Sequence, residues 1–256
     1  MCYPKMIRHN LISIPFAALI VIALVSLVSC NREDAPDCFQ RAGEMKTVQR
    51  DLDDFSSIEL NDYIQYELFD TAYFGVIIKA PGNLISDLET EVEDGRLTIR
   101  NVNRCNFVRS YKSRITVRIC APAFTDIQNY ATGDITSVDV LTGNRFSLDN
   151  RSAAGVQRIS LDVDTVNIAS HTGVSDAVLQ GECDVVYLFN QGLGKLDARA
   201  LTSNYAFVNN SSLNDVYVYS QNYLYGYIQF SGNIYYTGNP EAIDREVDGD
   251  GELKPF

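Results

Sequence analysis

Beyond about residue 47, apolar and polar residues alternate in short runs separated by Gly, Asn, Asp and Ser. Alternation of this kind predicts strands, and no apolar stripe with a 3.6-residue period runs for ten residues or more in this part of the chain. Ser57-Ile58-Glu59-Leu60 alternates. From Tyr63 to Leu68, Ile64, Tyr66 and Leu68 share one face, with Gln65 and Glu67 on the other. Val76-Ile77-Ile78 predicts a buried strand. Leu88 to Val92 and Leu97 to Ile99 flank Glu93-Asp94-Gly95-Arg96, the signature of a hairpin closed at Asp-Gly. Ile115, Val117 and Ile119 alternate with Arg114, Thr116 and Arg118, a strand with one wet face.

After Pro122 the alternation becomes a weak repeat. Phe146, Val166, Val186, Tyr205 and Tyr223 recur at successive spacings of 20, 20, 19 and 18. Two residues on stand Leu148, Ile168, Leu188, Phe207 and Tyr225. Two further on come Asn150, Ser170, Asn190, Asn209 and Tyr227, then Ser152, Thr172, Gly192, Ser211 and Gln229. A second short strand follows in several repeats, as in Ile159-x-Leu161-x-Val163 and Val216-x-Val218. A two-strand unit of about twenty residues cannot bury its apolar face alone, but stacked units make a continuous core. The expected architecture is therefore a parallel β-helix, with an irregular β portion before it. Leu148, Ile168, Leu188, Phe207 and Tyr225 are expected to form one buried column, and the Asn, Ser and Thr columns to share hydrogen bonds at the turns. A β-sandwich with chance regularity is the alternative.

The N-terminus reads as an address. Lys5 and Arg8 precede an uncharged run from Leu11 to Ser29, the pattern of an export signal. Leu27-Val28-Ser29-Cys30 resembles the bacterial lipobox, so residues 1–29 are expected to leave as a lipoprotein signal peptide. Cys30 would become the acylated, palmitate-bearing N-terminus, holding the protein to a membrane without spanning it. Asn31-Arg32-Glu33-Asp34 resembles the export tag of Bacteroidota lipoproteins, with Arg32 in place of the usual Lys; the tag implies the outer face of the outer membrane. Residues 30–46 then form a lipidated tether and 47–256 the body.

Charge narrows the possible partners. The whole chain has a net charge of −12; removing Lys5 and Arg8 with the signal leaves 19 basic against 33 acidic side chains, or −14. Nothing in that balance favours phosphates, and no nucleic acid is expected as a partner. Four cysteines besides Cys30 survive processing, which allows three pairings in an oxidising compartment. The expected bridge is Cys38–Cys105, pinning the tether to the body, with Cys120 and Cys183 free. No Cys or His spacing suggests a metal. Asp248-Gly249-Asp250-Gly251-Glu252 is the densest acidic cluster but matches no complete calcium loop, and a solvated closing turn is expected there. His171, the one histidine outside the signal, is expected to face outward with no nucleophile assigned to it. No enzyme activity and no cofactor are expected. Nine of the 15 tyrosines lie between Tyr187 and Tyr236. If Val216, Val218 and Ile234 point inward, Tyr217, Tyr219 and Tyr235 point outward, and a shift of 18 stacks Tyr235 on Tyr217. Such a ladder offers flat amphipathic faces to a glycan or a surface protein; its bland counterpart is cross-strand packing alone.

A family resemblance joins these features. Phe55-x-x-Ile58-x-Leu60, Asn83-Leu84-Ile85, Thr90-Glu91-Val92-x-x-Gly95-x-Leu97-x-Ile99, Asn103-x-Cys105-Asn106-Phe107-x-Arg109-Ser110-Tyr111 and Gly232-Asn233-Ile234-Tyr235-Tyr236-x-Gly238-x-Pro240 follow in that order. Together they resemble the autotransporter adhesin, head GIN domain family over about residues 47–252. The resemblance implies a right-handed β-helix-like fold on a secreted or lipid-anchored bacterial protein, and it brings no catalytic residues. The expected function is a non-catalytic cell-surface adhesion or ligand-binding module. A polysaccharide-active β-helix enzyme and a structural envelope protein are the alternatives.

Overall fold

The computed structural model describes residues 42–103 and 115–256. Strands are numbered in chain order, and they build two ladders. The first ladder runs, in order of pairing, through β6 (Arg96–Asn101), β2 (Ser57–Leu60), β8 (Ile127–Asn129), β10 (Leu141–Asn150), β11 (Val156–Ser170), β12 (Asp176–Asn190), β13 (Leu196–Asn210), β15 (Tyr223–Ile228) and β17 (Ala242–Val247), every step parallel. The second runs through β7 (Thr116–Ala121), β3 (Gln65–Asp70), β9 (Ile135–Ser137), the first halves of β11, β12 and β13, then β14 (Val216–Ser220), β16 (Ile234–Gly238) and β18 (Leu253–Pro255), again parallel throughout. The chain alternates between the ladders, making a β-solenoid of about six turns.

The irregular beginning is an inversion of order and a lid. The rung β2–β3 lies between the later rungs β6–β7 and β8–β9. Beyond β6 and β7 the pairing turns antiparallel: β5 (Leu88–Glu93) lies on β6, β4 (Gly75–Pro81) on β7, and β1 (Met45–Asp51) on β4. These antiparallel strands cap the first end of the coil. The β5–β6 hairpin turns at Asp94 (φ 49°) and Gly95 (φ 73°), the paired positive φ values that an Asp-Gly type I′ turn supplies.

Each long strand serves both ladders by turning a corner, and burial records the turn. In β11 the odd positions Gln157, Ile159, Leu161 and Val163 are buried; after Asp164-Thr165 the even positions Val166, Ile168 and Ser170 are. Two outward residues in succession shift the phase of the alternation. Leu97, Ile58, Ile127, Leu148, Ile168, Leu188 and Val208 form a continuous inward column of the first ladder. Asn129, Asn150, Ser170, Asn190 and Asn210 form the next, at the turn. There Asn129 Nδ2 donates to Asn150 Oδ1 at 2.7 Å, and Asn210 Nδ2 to the Asn214 carbonyl at 2.9 Å. These buried amides satisfy turn backbone that no strand reaches.

The buried column differs from the expected one at two positions. Leu148, Ile168 and Leu188 stack as anticipated, but Val208 and Gly226 follow them; Phe207 pairs with Tyr187 and with Tyr225 on the outward side. The anchors Tyr205 and Tyr223 likewise give way to Ala206 and Leu224, and the polar positions Asn209 and Tyr227 to Asn210 and Ile228. The cause is a bulge. Val178 pairs with Asp197, whereas Gln180 pairs with Ala200, so the offset between partners grows by one. The extra residue at Ala198-Arg199 moves the rest of β13 by one place. Gly226 is buried because the Leu253 side chain from the last rung fills the space above it; a Cβ there would lie 2.1 Å from Leu253 Cδ1.

Candidate functional site

The second ladder carries the tyrosines singled out by the alternation. Val216, Val218 and Ile234 are buried, so Tyr217, Tyr219 and Tyr235 face outward. Tyr217 pairs with Tyr235 across β14–β16, and the rings stack with centroids 5.1 Å apart and planes within 12°. Tyr219 lies on the same face, over Thr237 rather than over a ring, and its hydroxyl donates to Gln221 at 2.9 Å. Phe256 stands edge-on to both stacked rings, at 5.6 Å from Tyr217 and 6.0 Å from Tyr235.

Cations border these rings. Lys195 Nζ lies 4.3 Å and the Arg199 guanidinium 4.7 Å from the centre of Tyr217; the same guanidinium is 4.4 Å from Phe256, and Lys254 Nζ is 5.3 Å from Tyr235. Arg199 belongs to the β13 bulge, which turns it outward beside Asp197. There Nε donates to Asp197 Oδ1 at 2.9 Å and Nη2 to Oδ2 at 2.6 Å, a bidentate pair, with Lys195 at 3.2 Å from the same carboxylate. Burial would raise the Asp197 carboxyl, but the hydrogen bonds from Arg199 and Lys195 outweigh it and hold the group below the usual carboxylate range. Desolvation first, and then Asp215, push the Tyr217 phenol above its ordinary value. The result is a firmly held aromatic strip whose cations are largely offset by Asp197 and Glu252.

Sequence reasoning missed Lys195, Arg199, Lys254 and Phe256. Extending the Tyr217–Tyr235 column by one more rung reaches Lys254, so that signal was present. It also missed a second aromatic face, on the first ladder. Tyr187, Phe207 and Tyr225 form one outward column there, with Tyr187 and Phe207 stacked at 5.0 Å and 15°. Ala169, Phe189, Asn209 and Tyr227 form the next. Between the two columns lies an open groove of about 330 Å³. On β15 Tyr223, Tyr225 and Tyr227 each donate a hydroxyl hydrogen bond toward the next rung, two residues beyond the register partner, to Asp244 (2.8 Å), Glu246 (3.1 Å) and Asp248 (2.7 Å).

His171 does face outward; its Nε2 lies 3.0 Å from Asp149, and its ring is tilted against Phe189 at 5.2 Å. The 248–252 cluster divides between the two ladders, with Asp248 held by Tyr227 and Glu252 by Lys254 at 2.9 Å. Cys120 and Cys183 are free thiols; burial, with Asp184 nearby, pushes Cys183 up to about 12. Cys30, Cys38 and Cys105 lie outside the described residues. Among the described residues no helix is long and apolar enough to cross a membrane.

Solved structures share this fold. A "putative adhesin" from Bacteroides fragilis superposes with a TM-score of 0.76 at 21% identity, over 83% of this chain and 97% of its own. A "putative adhesin" from Parabacteroides distasonis gives 0.63 at 16% identity, over 84% and 98%. A "putative lipid binding protein" from the same species gives 0.54 at 16% identity, over 84% and 97%. No curated protein matches the chain. Residues 54–240 match the family described as "Putative auto-transporter adhesin, head GIN domain", and the chain belongs to that family.

Proposed function

We propose that this protein is a non-catalytic adhesion module, lipid-anchored through Cys30 to the outer membrane and exposed at the cell surface. Family membership supports an adhesion-type role and a surface location. The lipobox Leu27-Val28-Ser29-Cys30 and the following Arg32-Glu33-Asp34 support the anchor and its outward face. The observation that carries the binding role is the Tyr217–Tyr235 stack with Phe256 edge-on to it, a half-buried aromatic strip on the outward side of the coil. Aromatic side chains of this kind offer a large contact area at small entropic cost. Tyr219 extends the strip along β14, and the offset cations let it accept a glycan or a protein partner without a large charge of its own.

The test is binding of the purified body to glycan and surface-protein arrays, wild type against Tyr217→Ser/Tyr235→Ser. The double variant should lose at least one wild-type ligand of the arrays while its thermal midpoint stays near wild type. Unchanged binding of every array ligand by the double variant would remove the strip from the function. The anchor is tested separately: Cys30→Ala should abolish labelling by a fatty-acid probe, and Glu33→Ala/Asp34→Ala should keep the label but lower protease accessibility on whole cells.

A further inference from the structure

We propose that the groove on the first ladder is a second binding site, and that it takes an extended, uncharged polysaccharide lying along the coil axis. It is separate from the Tyr217 strip, which belongs to the second ladder, and it stands whether or not that strip binds anything.

The groove is lined mostly by aromatic carbon. Tyr187, Phe207 and Tyr225 repeat at one position on three successive rungs; Phe189 and Tyr227 repeat two residues further along the strands. Rungs rise by about 4.8 Å and the two columns stand about 7 Å apart. A β-1,4-linked pyranose chain advances by a similar length per sugar, so a chain running along the axis meets one residue of the Tyr187–Phe207–Tyr225 column at each step. The C–H face of a pyranose is apolar and its rim is a belt of hydroxyls. The groove matches both features, with rings as walls and polar groups at its margins. Asn167 and Asn209 supply amides, and Tyr225 and Tyr227, with Tyr223 just outside the lining, present hydroxyls already held by Glu246, Asp248 and Asp244. Each of those carboxylates has lone pairs left to accept from a sugar hydroxyl.

Charge selects among glycans. The three carboxylates stand in a row at the last rung, on a chain with a strong acidic excess. A polyuronate or a sulfated chain would meet like charge along its length. Two other occupants fit less well. A peptide strand needs main-chain partners, but β12, β13 and β15 are hydrogen-bonded on both sides within the ladder, so their backbone has none to offer. An acyl chain needs enclosure from water, and this groove is open along its length with hydroxyls and carboxylates at its margin.

The experiment is saturation-transfer NMR and titration with the full body and defined hexasaccharides: β-1,4-glucan, β-1,4-xylan and, as the charged counterpart, oligogalacturonate. At least one neutral hexasaccharide should bind, with transfer strongest to its ring C–H protons, and oligogalacturonate should bind more weakly. Phe207→Ala should weaken the neutral ligand about tenfold, the factor that loss of roughly 1.4 kcal/mol of ring contact represents. Tyr225→Ser should act in the same direction, and covers the case in which Phe207→Ala perturbs the rung; circular dichroism reports whether it does. Tyr217→Ser/Tyr235→Ser should leave this binding unchanged. The proposal is overturned if neither neutral chain binds, if oligogalacturonate binds as well as they do, if the groove variants bind like wild type, or if a Lys/Arg-rich peptide is the only probe to bind there.

Discussion

Outward aromatic and inward aliphatic residues alternate within single strands, so their substitutions should separate cleanly. Leu188 is buried between Ile168 and Val208, whereas its neighbour Tyr187 and the paired Phe207 face the groove. Leu188→Ala should cost about 2–5 kcal/mol through lost burial and a residual cavity. Phe207→Ala should cost much less, and urea unfolding of the two variants measures the contrast. Equal losses would mean that the outward column is holding the coil together. Asp197 provides the pH signal. Its folded-state carboxyl titrates below the usual carboxylate value of about 3.9, so it contributes stability above that value and loses it as pH falls through the depressed one. Wild type should therefore lose more stability below about pH 4 than Asp197→Asn does, by a modest amount because the pair is partly solvated.

Strands and turns tell how far the sequence alone could be read. The hairpin at Asp94-Gly95, the short pairs of strands and the parallel coil were legible because alternation, turn residues and a near-constant repeat agreed. The register of β13 was not. Asn209 and Asn210 are adjacent and chemically alike, so the polar column could be drawn through either, and Phe207 is as suitable for a core as for a binding face. Only the bulge at Ala198-Arg199 decides, and an inserted residue in a polar-apolar alternation looks like an ordinary irregularity of the repeat. Tyr217 and Tyr235 escape that ambiguity because the local alternation of β14 and β16, one rung apart in one ladder, assigns them outward without a register carried across the bulge. Turn glycines offer a sharper test of the coil. Gly173 has φ +103°, and a Cβ there would sit 2.1 Å from the Ala153 carbonyl of the rung beneath; Gly143 has φ +136° and open space around it. Both alanine variants carry backbone strain, but only Gly173→Ala also forces two rungs apart. It should be the more destabilising of the two, by more than about 1 kcal/mol relative to wild type; thermal unfolding of the pair checks the order.

At the scale of the molecule, stability is a sum over rungs. Each rung buries its apolar columns against the neighbours above and below, the antiparallel lid of β1, β4 and β5 closes one end, and Leu253 over Gly226 closes the other. The chain enters at the lid, and both aromatic faces lie in rungs toward the far end. This arrangement has a mechanical consequence. The hydrogen bonds between successive parallel strands point along the coil axis, the direction in which a ligand caught at the far end would pull against a tethered start. Such a load opens the bonds of one rung at a time instead of shearing many together. Held between its ends in optical tweezers, the body should give way in a series of small, similar extensions, each releasing about 20 residues or roughly 6–7 nm of chain. One large event would show that the rungs fail as a block. Yielding stepwise, a chain anchored and bound as proposed would lengthen under drag while its remaining rungs kept their grip, an extensible leash between the cell and whatever it holds.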